Sequence, residues 1–130
     1  MDIVIDTSAL LAVILGEPER NRIVELTYGK TLIAPGSVPW DIGNAFSAMF
    51  KRNRLAFKAA RDGLAIYDSI PITYLKTDFA NVLKISKQSN IYAYDAYFID
   101  CAVRYNAPLL TLNHKLKIAA QQLDVETLEV

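Results

Sequence analysis

Short apolar runs alternate with helix-like segments along the whole chain, and this alternation restricts the possible folds most strongly. The apolar runs are rich in β-branched residues and predict strands at residues 2–6, 31–34, 70–74 and 107–112, with a fifth, at an edge, at residues 125–128. Parallel strands must be joined by crossover connections. The pattern therefore predicts an α/β fold, a three-layer sandwich whose central, mainly parallel sheet of about five strands carries helices on both faces.

Length and composition fit a single domain over residues 1–130. Fourteen basic residues balance fourteen acidic ones, so a polyanion must be held by local features rather than by the overall charge. The one cysteine, Cys101, cannot form an internal disulfide and suits a reducing cytoplasm. The apolar stretches are too short to span a bilayer. We therefore expect a cytoplasmic protein without a membrane partner.

Polar side chains follow two of the predicted strands, where open α/β sheets form their sites. Asp6 ends the first strand and Asn113 follows the fourth, while Asp41 and Asp95 lie near the starts of two helices. Converging carboxylates repel one another, and a hard cation such as Mg²⁺ or Mn²⁺ would compensate them. The alternative is that Asp6 and Asp95 cap helices and that Asp41 is solvated in a first turn. Spacing alone leaves both interpretations open.

The order of short motifs across nearly the whole chain resembles the PIN-domain proteins of the VapC toxin type. The motifs are DTSALLA at residues 6–12, VPWDIGNA at 38–45, YDAY at 94–97 and APLLTLN at 107–113. This resemblance implies a PIN-like sandwich and RNA cleavage that depends on Mg²⁺ or Mn²⁺. It also implies a cognate antitoxin as the partner. We expect the antitoxin, or a second copy in a homodimer, to pack on apolar faces of the early helices, unless those residues belong to the core: Leu11, Ile14, Ile23 and Leu26.

The family's acidic positions match Asp6, Asp41, Asp95 and Asn113, which the resemblance makes the catalytic set. Asp41 stands where the family usually has Glu, and Asn113 stands where it usually has Asp. The three carboxylates, Asp6, Asp41 and Asp95, would hold one divalent ion, and a second ion is less secure. Two functions follow from this pattern. The chain is either an active ribonuclease or a catalytically weakened PIN-fold module that still binds antitoxin or RNA.

Further polar residues are expected to support these acids. By resemblance, Ser8 and Thr111 contact the site, and Asn44 lies three residues after Asp41 on the same helical face, where it could brace that carboxylate. Helix capping is the alternative for Ser8. The Thr7 hydroxyl could also orient a carboxylate, although its position favours helix capping. Asp100, in an otherwise apolar helix, is expected to be a partnered structural carboxylate.

One basic cluster and several aromatic residues are candidates to bind RNA. The cluster begins with Lys51, Arg52 and Arg54 and continues to Lys58 and Arg61. It is the one patch that could follow a phosphate backbone, although a solvated surface is the simpler interpretation. The aromatic candidates for stacking on unpaired bases, unless they pack in the core, are Trp40, Tyr92, Tyr94 and Tyr97.

Overall fold

The computed structural model describes residues 1–130 and contains four strands and seven helices. The strands are β1 (Asp2–Ile5), β2 (Thr31–Pro35), β3 (Ile72–Leu75) and β4 (Leu109–Leu110). The helices are α1 (Thr7–Ile14), α2 (Arg20–Thr27), α3 (Val38–Lys51), α4 (Phe57–Ser69), α5 (Phe79–Ser89), α6 (Ala93–Tyr105) and α7 (His114–Gln122). None of these helices combines the length and the apolar character that crossing a bilayer requires.

The four strands form one parallel sheet in the order β3-β2-β1-β4. The chain adds β2 and β3 on one side of β1 and then returns to add β4 on the other side. This reversal makes the crevice between β1 and β4 the switch point of the sheet, where open α/β folds bind ligands beyond the carboxyl ends of the strands. The predicted parallel α/β fold is confirmed.

The predicted fifth strand is present only as a single parallel bridge at the edge of the sheet. Residues 125–128 form only an isolated bridge, in which Thr127 pairs with Leu109. The reason lies in β4, which ends after two residues. The backbone N–H groups of Leu112 and Asn113 donate to side-chain hydroxyls instead of continuing a ladder. An extended edge strand therefore has too little of β4 to pair with.

The core lies on both faces of the sheet. Ile3, Val4 and Ile5 of β1 are all buried, as expected for a central parallel strand covered by helices above and below. Ile14 and Ile23 are also buried, and Leu11 and Leu26 are partly buried against the core. Ile14 and Ile23 therefore belong to the core, whereas Leu11 and Leu26 keep part of their surface exposed.

Cys101 lies in the same core, on α6. Burial raises the pKa of its thiol to about 12. The thiol is therefore protonated and unreactive at neutral pH.

A buried carboxylate of α6, Asp100, pairs with Arg104 of the same helix and also contacts the neighbouring helix α5. Asp100 is 1% exposed and accepts a hydrogen bond from Asn81 Nδ2 at 2.7 Å and another from Arg104 Nε at 3.1 Å. Arg104 also donates to the carbonyl of Lys76, just after β3. These contacts confirm that Asp100 is a partnered structural carboxylate. They hold α6, which carries Asp95, against α5.

We predict that Asp100→Ala lowers the free energy of unfolding by about 2–3 kcal/mol, because it removes charge-assisted hydrogen bonds from a buried site. Asp62→Ala is the matched control, since Asp62 forms the same i,i+4 acid–base pair with Lys58 on an exposed surface. That control should cost less than about 0.5 kcal/mol. Urea denaturation measures both losses, and equal losses would contradict the structural role of Asp100.

Candidate active site

Asp6 is the first residue after β1 and lies at the switch point of the sheet. Its backbone is still extended, and its Oδ1 accepts a hydrogen bond from Ala9 N at 2.9 Å, which caps α1. The capping role foreseen as the alternative for Asp6 is therefore real. The cap uses only Oδ1, so Oδ2 of the same carboxylate is available to other partners.

Two hydroxyl groups also donate to the Asp6 carboxylate. Ser8 Oγ lies 2.7 Å from Oδ1 and 2.9 Å from Oδ2, and Thr111 Oγ1 lies 2.5 Å from Oδ2. Asp6 is only 3% exposed and forms no ion pair. A carboxylate offers about four lone-pair positions. Three donors fill most of them and leave room for about one further ligand.

The direction of these hydroxyl bonds follows from the backbone after β4. Ser8 Oγ accepts from Leu112 N at 2.9 Å, and Thr111 Oγ1 accepts from Asn113 N at 2.9 Å. With an N–H group pointing at each oxygen, both hydroxyl protons are free to point at Asp6. The contacts expected for Ser8 and Thr111 beside the first acid are therefore present.

Asp41 lies in the first turn of α3 and is half-buried. Thr7 Oγ1 donates to its Oδ2 at 3.2 Å. Two expectations are corrected by this contact. Thr7 does not cap α1, since Asp6 does, and the hydrogen bond to Asp41 comes from Thr7 rather than from the exposed Asn44.

Asp95 lies in the first turn of α6 and is also half-buried, but it does not cap that helix, because Tyr92 occupies the N-cap position. The capping alternative is therefore wrong for Asp95. Its carboxylate interacts electrostatically with both other acids and with the ammonium group of Lys115. Asp95 is therefore the acid whose negative charge acts on both of the others, Asp6 and Asp41.

Burial raises the pKa of Asp6, Asp41 and Asp95 above the usual value of 3.8. The hydrogen bonds to Asp6 and Asp41 oppose this shift, and the negative charge of Asp95 adds to it at both residues. Lys115 opposes the shift at Asp95. The three carboxylates therefore share one unfavourable field, which a bound cation would relieve.

The donor set fits a hard divalent cation that keeps part of its water shell. The oxygens are carboxylates without basic partners, apart from Asp95 beside Lys115. No three acidic, histidine or cysteine side chains converge closely enough to form a complete metal cage. Mg²⁺ usually binds through one or two carboxylates, with water and substrate phosphate completing its coordination. The arrangement suits that mode and does not suit a closed structural metal site.

Asn113 follows β4 at the same edge of the sheet, and its side chain has a structural role. Its Oδ1 accepts from Leu116 N at 3.2 Å and so caps α7. Its N–H donates to Thr111, which links it indirectly to Asp6. The predicted ligand role of Asn113 stays a prediction.

Lys115 is the residue that the sequence reasoning missed. It borders a cavity of about 390 Å³ together with Asn90, Ile91, Tyr92 and Asp95. Its position in the first turn of α7 was an available signal, because a cation there opposes the helix dipole and no acid accompanies it. A cation in that unfavourable position indicates a role outside the helix.

The basic cluster lies at the far end of α3 from the acids. Asp41 is in the first turn of the helix and Lys51 is its last residue, which separates them by about 15 Å along the axis. Arg52 caps the helix, and Arg54 borders a separate cavity with Asp62. RNA binding by Lys51, Arg52 and Arg54 stays a prediction, and these residues are not part of the acidic site.

Known structures share this arrangement of strands and helices. A Pyrobaculum aerophilum protein, PAE2754, has a TM-score of 0.74 at 18% identity, covering 98% of this chain and 83% of that one. Rickettsia felis VapBC2, solved bound to a promoter DNA fragment, has a TM-score of 0.68 at 17% identity, covering 98% of each chain. Mycobacterium tuberculosis VapC20, a sarcin–ricin loop cleaving toxin, has a TM-score of 0.63 at 15% identity, covering 90% and 94%.

The comparison of sequences gives a family. No curated protein matches the chain. The family model of the PIN domain matches residues 3–121, which include Asp6, Asp41, Asp95 and Asn113. The resemblance seen in the motifs is confirmed, and the chain belongs to the PIN domain family.

Proposed function

We propose that the protein is an endoribonuclease that depends on Mg²⁺ or Mn²⁺ and acts as the toxin of a toxin–antitoxin pair in the cytoplasm. The observation that carries this proposal is the Asp6 carboxylate at the switch point of the sheet, oriented by Ser8 and Thr111 and close to the half-buried Asp41 and Asp95. Membership of the PIN domain family and the likeness to a toxin that cleaves the sarcin–ricin loop support the same reaction.

Of the three acids, Asp6 and Asp95 would hold the divalent ion directly, and Asp41 would reach it through a water. When bound, the ion would supply charge stabilisation to the phosphodiester under attack and lower the pKa of water. Asp6 contributes a carboxylate whose orientation is set by Ser8, Ala9 and Thr111, so little reorganisation accompanies binding.

The remaining groups have complementary tasks. The Asp41 carboxylate accepts one hydrogen bond, from Thr7, and keeps lone pairs with which to orient a water or accept its proton. Lys115 places a positive charge on the wall of the cavity beside Asp95, where it would attract the RNA phosphate. In this role Lys115 supplies locally the attraction that a chain without net charge lacks.

The proposed partners are an RNA substrate, a cognate antitoxin and a second copy of the chain. The antitoxin is supported by the likeness to the VapBC2 structure. An inserted arginine of that partner would satisfy the same unpaired carboxylates as the metal ion and would silence the site.

A second candidate is a weakened PIN-fold module that binds antitoxin or RNA without cutting. Two observations favour it: Asn113 uses its amide oxygen as a helix cap, and no complete metal cage is present. Cleavage by the purified chain separates the two candidates.

We predict that Asp6→Asn and Asp95→Asn each reduce RNA cleavage at least about 100-fold, because each removes a charged oxygen ligand. EDTA should abolish cleavage by the wild type, and added Mn²⁺ should restore it. Gel analysis of a labelled RNA measures the rate, and circular dichroism checks the fold.

The control is Asp62→Asn, which removes an exposed carboxylate outside the site. It should cleave at the wild-type rate. Full activity of either Asp6→Asn or Asp95→Asn would refute the assignment of the site.

Without metal, the raised pKa values of the three acids make stability depend on pH. A raised pKa means that the folded state favours the protonated carboxyl, so this stabilisation is complete below about 3.8 and is lost as the pH rises through the folded-state values. Asp95→Asn removes the charge that couples the group. We predict that its melting temperature in EDTA exceeds that of the wild type by an amount that grows between about pH 4 and pH 7.

A difference of 1 kcal/mol in the free energy of unfolding between this variant and the wild type corresponds to a difference of about 3–5 °C in melting temperature for a domain of this size. Asp62→Asn should show no such growth. Differential scanning calorimetry at several pH values makes the measurement, and a gap that stays constant with pH would contradict the shared field.

Asn113→Asp tests the departure from the family pattern. Aspartate caps helices as well as asparagine does, so α7 should be retained. The added charge should tighten Mn²⁺ binding about tenfold, and more at low salt, as measured by titration calorimetry. Asn21→Asp adds the same charge to the exposed start of α2 and is the control. Unchanged Mn²⁺ affinity would mean that residue 113 acts as a cap alone.

A further inference from the structure

An aromatic groove lies beside the acidic site. It has a volume of about 450 Å³ and runs between the start of α3, the connection from β3 to α5, and the start of α6. Its lining consists of Gly36, Ser37, Trp40, Leu75, Lys76, Thr77, Phe79, Tyr94 and Tyr97. Three of the four aromatic residues suggested by the sequence therefore share one groove with Phe79, whereas Tyr92 borders the separate cavity with Lys115.

The rings in the aromatic groove are exposed to an unusual degree. Trp40 is 78% exposed, Tyr94 66% and Phe79 63%. Phe79 also packs edge-on against Tyr97, with the ring centroids 6.1 Å apart and the planes at 83°, which gives one wall a fixed shape. A cluster of exposed rings around a groove is typical of a binding surface.

Two helices carry both a ring of the aromatic groove and an acid of the site. Trp40 directly precedes Asp41 on α3, and Tyr94 directly precedes Asp95 on α6. Successive residues of a helix are turned by about 100°, so each ring flanks its acid instead of covering it. A ligand held at Asp41 and Asp95 would therefore have the rings of Trp40 and Tyr94 beside it.

The charge and polar groups of the aromatic groove suit a nucleic acid. Its lining contains no acidic side chain, and Lys76 adds a cation that forms no ion pair. Ser37 Oγ is buried there without a hydrogen-bond partner. Open ring faces beside a cation are the components with which proteins stack unpaired bases and hold the adjoining backbone.

We propose that the aromatic groove binds an unpaired nucleobase next to the scissile phosphate of a single-stranded RNA segment, with Trp40 as the main stacking surface. The inference rests on the proposed function, because it takes the phosphate position from the acidic site. It adds that recognition comes from ring stacking, which accepts any base, more than from a base-specific hydrogen-bond code.

The test uses the fact that Trp40 is the only tryptophan of the chain. An eight-nucleotide oligouridine is titrated in EDTA, where no cleavage occurs, and tryptophan fluorescence reports stacking on Trp40. The same oligomer with abasic riboses keeps the phosphates and removes the bases. We expect quenching by oligouridine, little quenching by the abasic oligomer, and at least about tenfold weaker binding of the latter by fluorescence anisotropy of an end label.

Two substitutions of Trp40 distinguish the effect of the aromatic ring from the effect of side-chain volume. Trp40→Leu should weaken oligouridine binding about tenfold, and Trp40→Phe should recover much of the loss. Tyr28→Leu is the matched control. Tyr28 is an aromatic residue that is 85% exposed, lies at the C-terminal cap of α2 and does not line the groove. It should leave affinity unchanged.

Equal affinity for the abasic oligomer, or for Trp40→Leu, would overturn the proposal. So would a Trp40→Leu variant that dissociates a wild-type dimer in analytical ultracentrifugation while RNA affinity stays the same, because the groove would then be an interface between copies. If the chain shows base-dependent quenching but cleaves no RNA, the proposed ribonuclease activity is refuted and the proposal that the groove binds a base is retained. Cleavage without base-dependent quenching would refute the groove alone.

Discussion

The hydrogen bond from Thr111 to Asp6 is the contact on which the site depends. It joins residues 105 positions apart in sequence and connects the ends of the two strands, β1 and β4, that flank the switch point. The same hydroxyl accepts the N–H of Asn113, which helps to end β4 after two residues and to begin α7. One threonine therefore orients the first carboxylate, shortens the strand and directs the following helix away from the sheet.

The acids carry an energetic cost that the rest of the domain must offset. Burial disfavours their charged forms, and Asp95 adds repulsion at both Asp6 and Asp41. The structure keeps them in place through a buried aliphatic strand beneath Asp6 and through the Asp100–Arg104–Asn81 contacts that hold α6. Functional sites commonly lower the stability of the protein that carries them. Here the strain is electrostatic and is confined to one edge of the sheet.

Much of this arrangement could be predicted from the sequence, because strand periodicity and the position of acids at strand ends are local signals. Asp6, Asp41 and Asp95 were found in this way. Local signals do not tell which partner a hydroxyl chooses, and so Thr7 was expected to cap a helix although it donates to a carboxylate 34 residues away. They also do not show that the hydroxyls of Ser8 and Thr111 take the backbone N–H groups that a longer β4 would need for its ladder. Lys115 and the grouping of Trp40 with Phe79 depend on helix packing, which only the fold reveals.

The central claim is that Asp6, Asp41 and Asp95 form one divalent cation site, and a crystal structure with Mn²⁺ tests it most directly. Anomalous scattering locates the ion without reference to activity. The account predicts one peak beyond the carboxyl ends of β1 and β4, with carboxylate oxygens of Asp6 or Asp95 within about 2.0–2.3 Å and water at the remaining positions. The peak should be lost in Asp6→Asn crystals. A Mn²⁺ ion bound elsewhere, or no ion at this edge at millimolar Mn²⁺, would contradict the account.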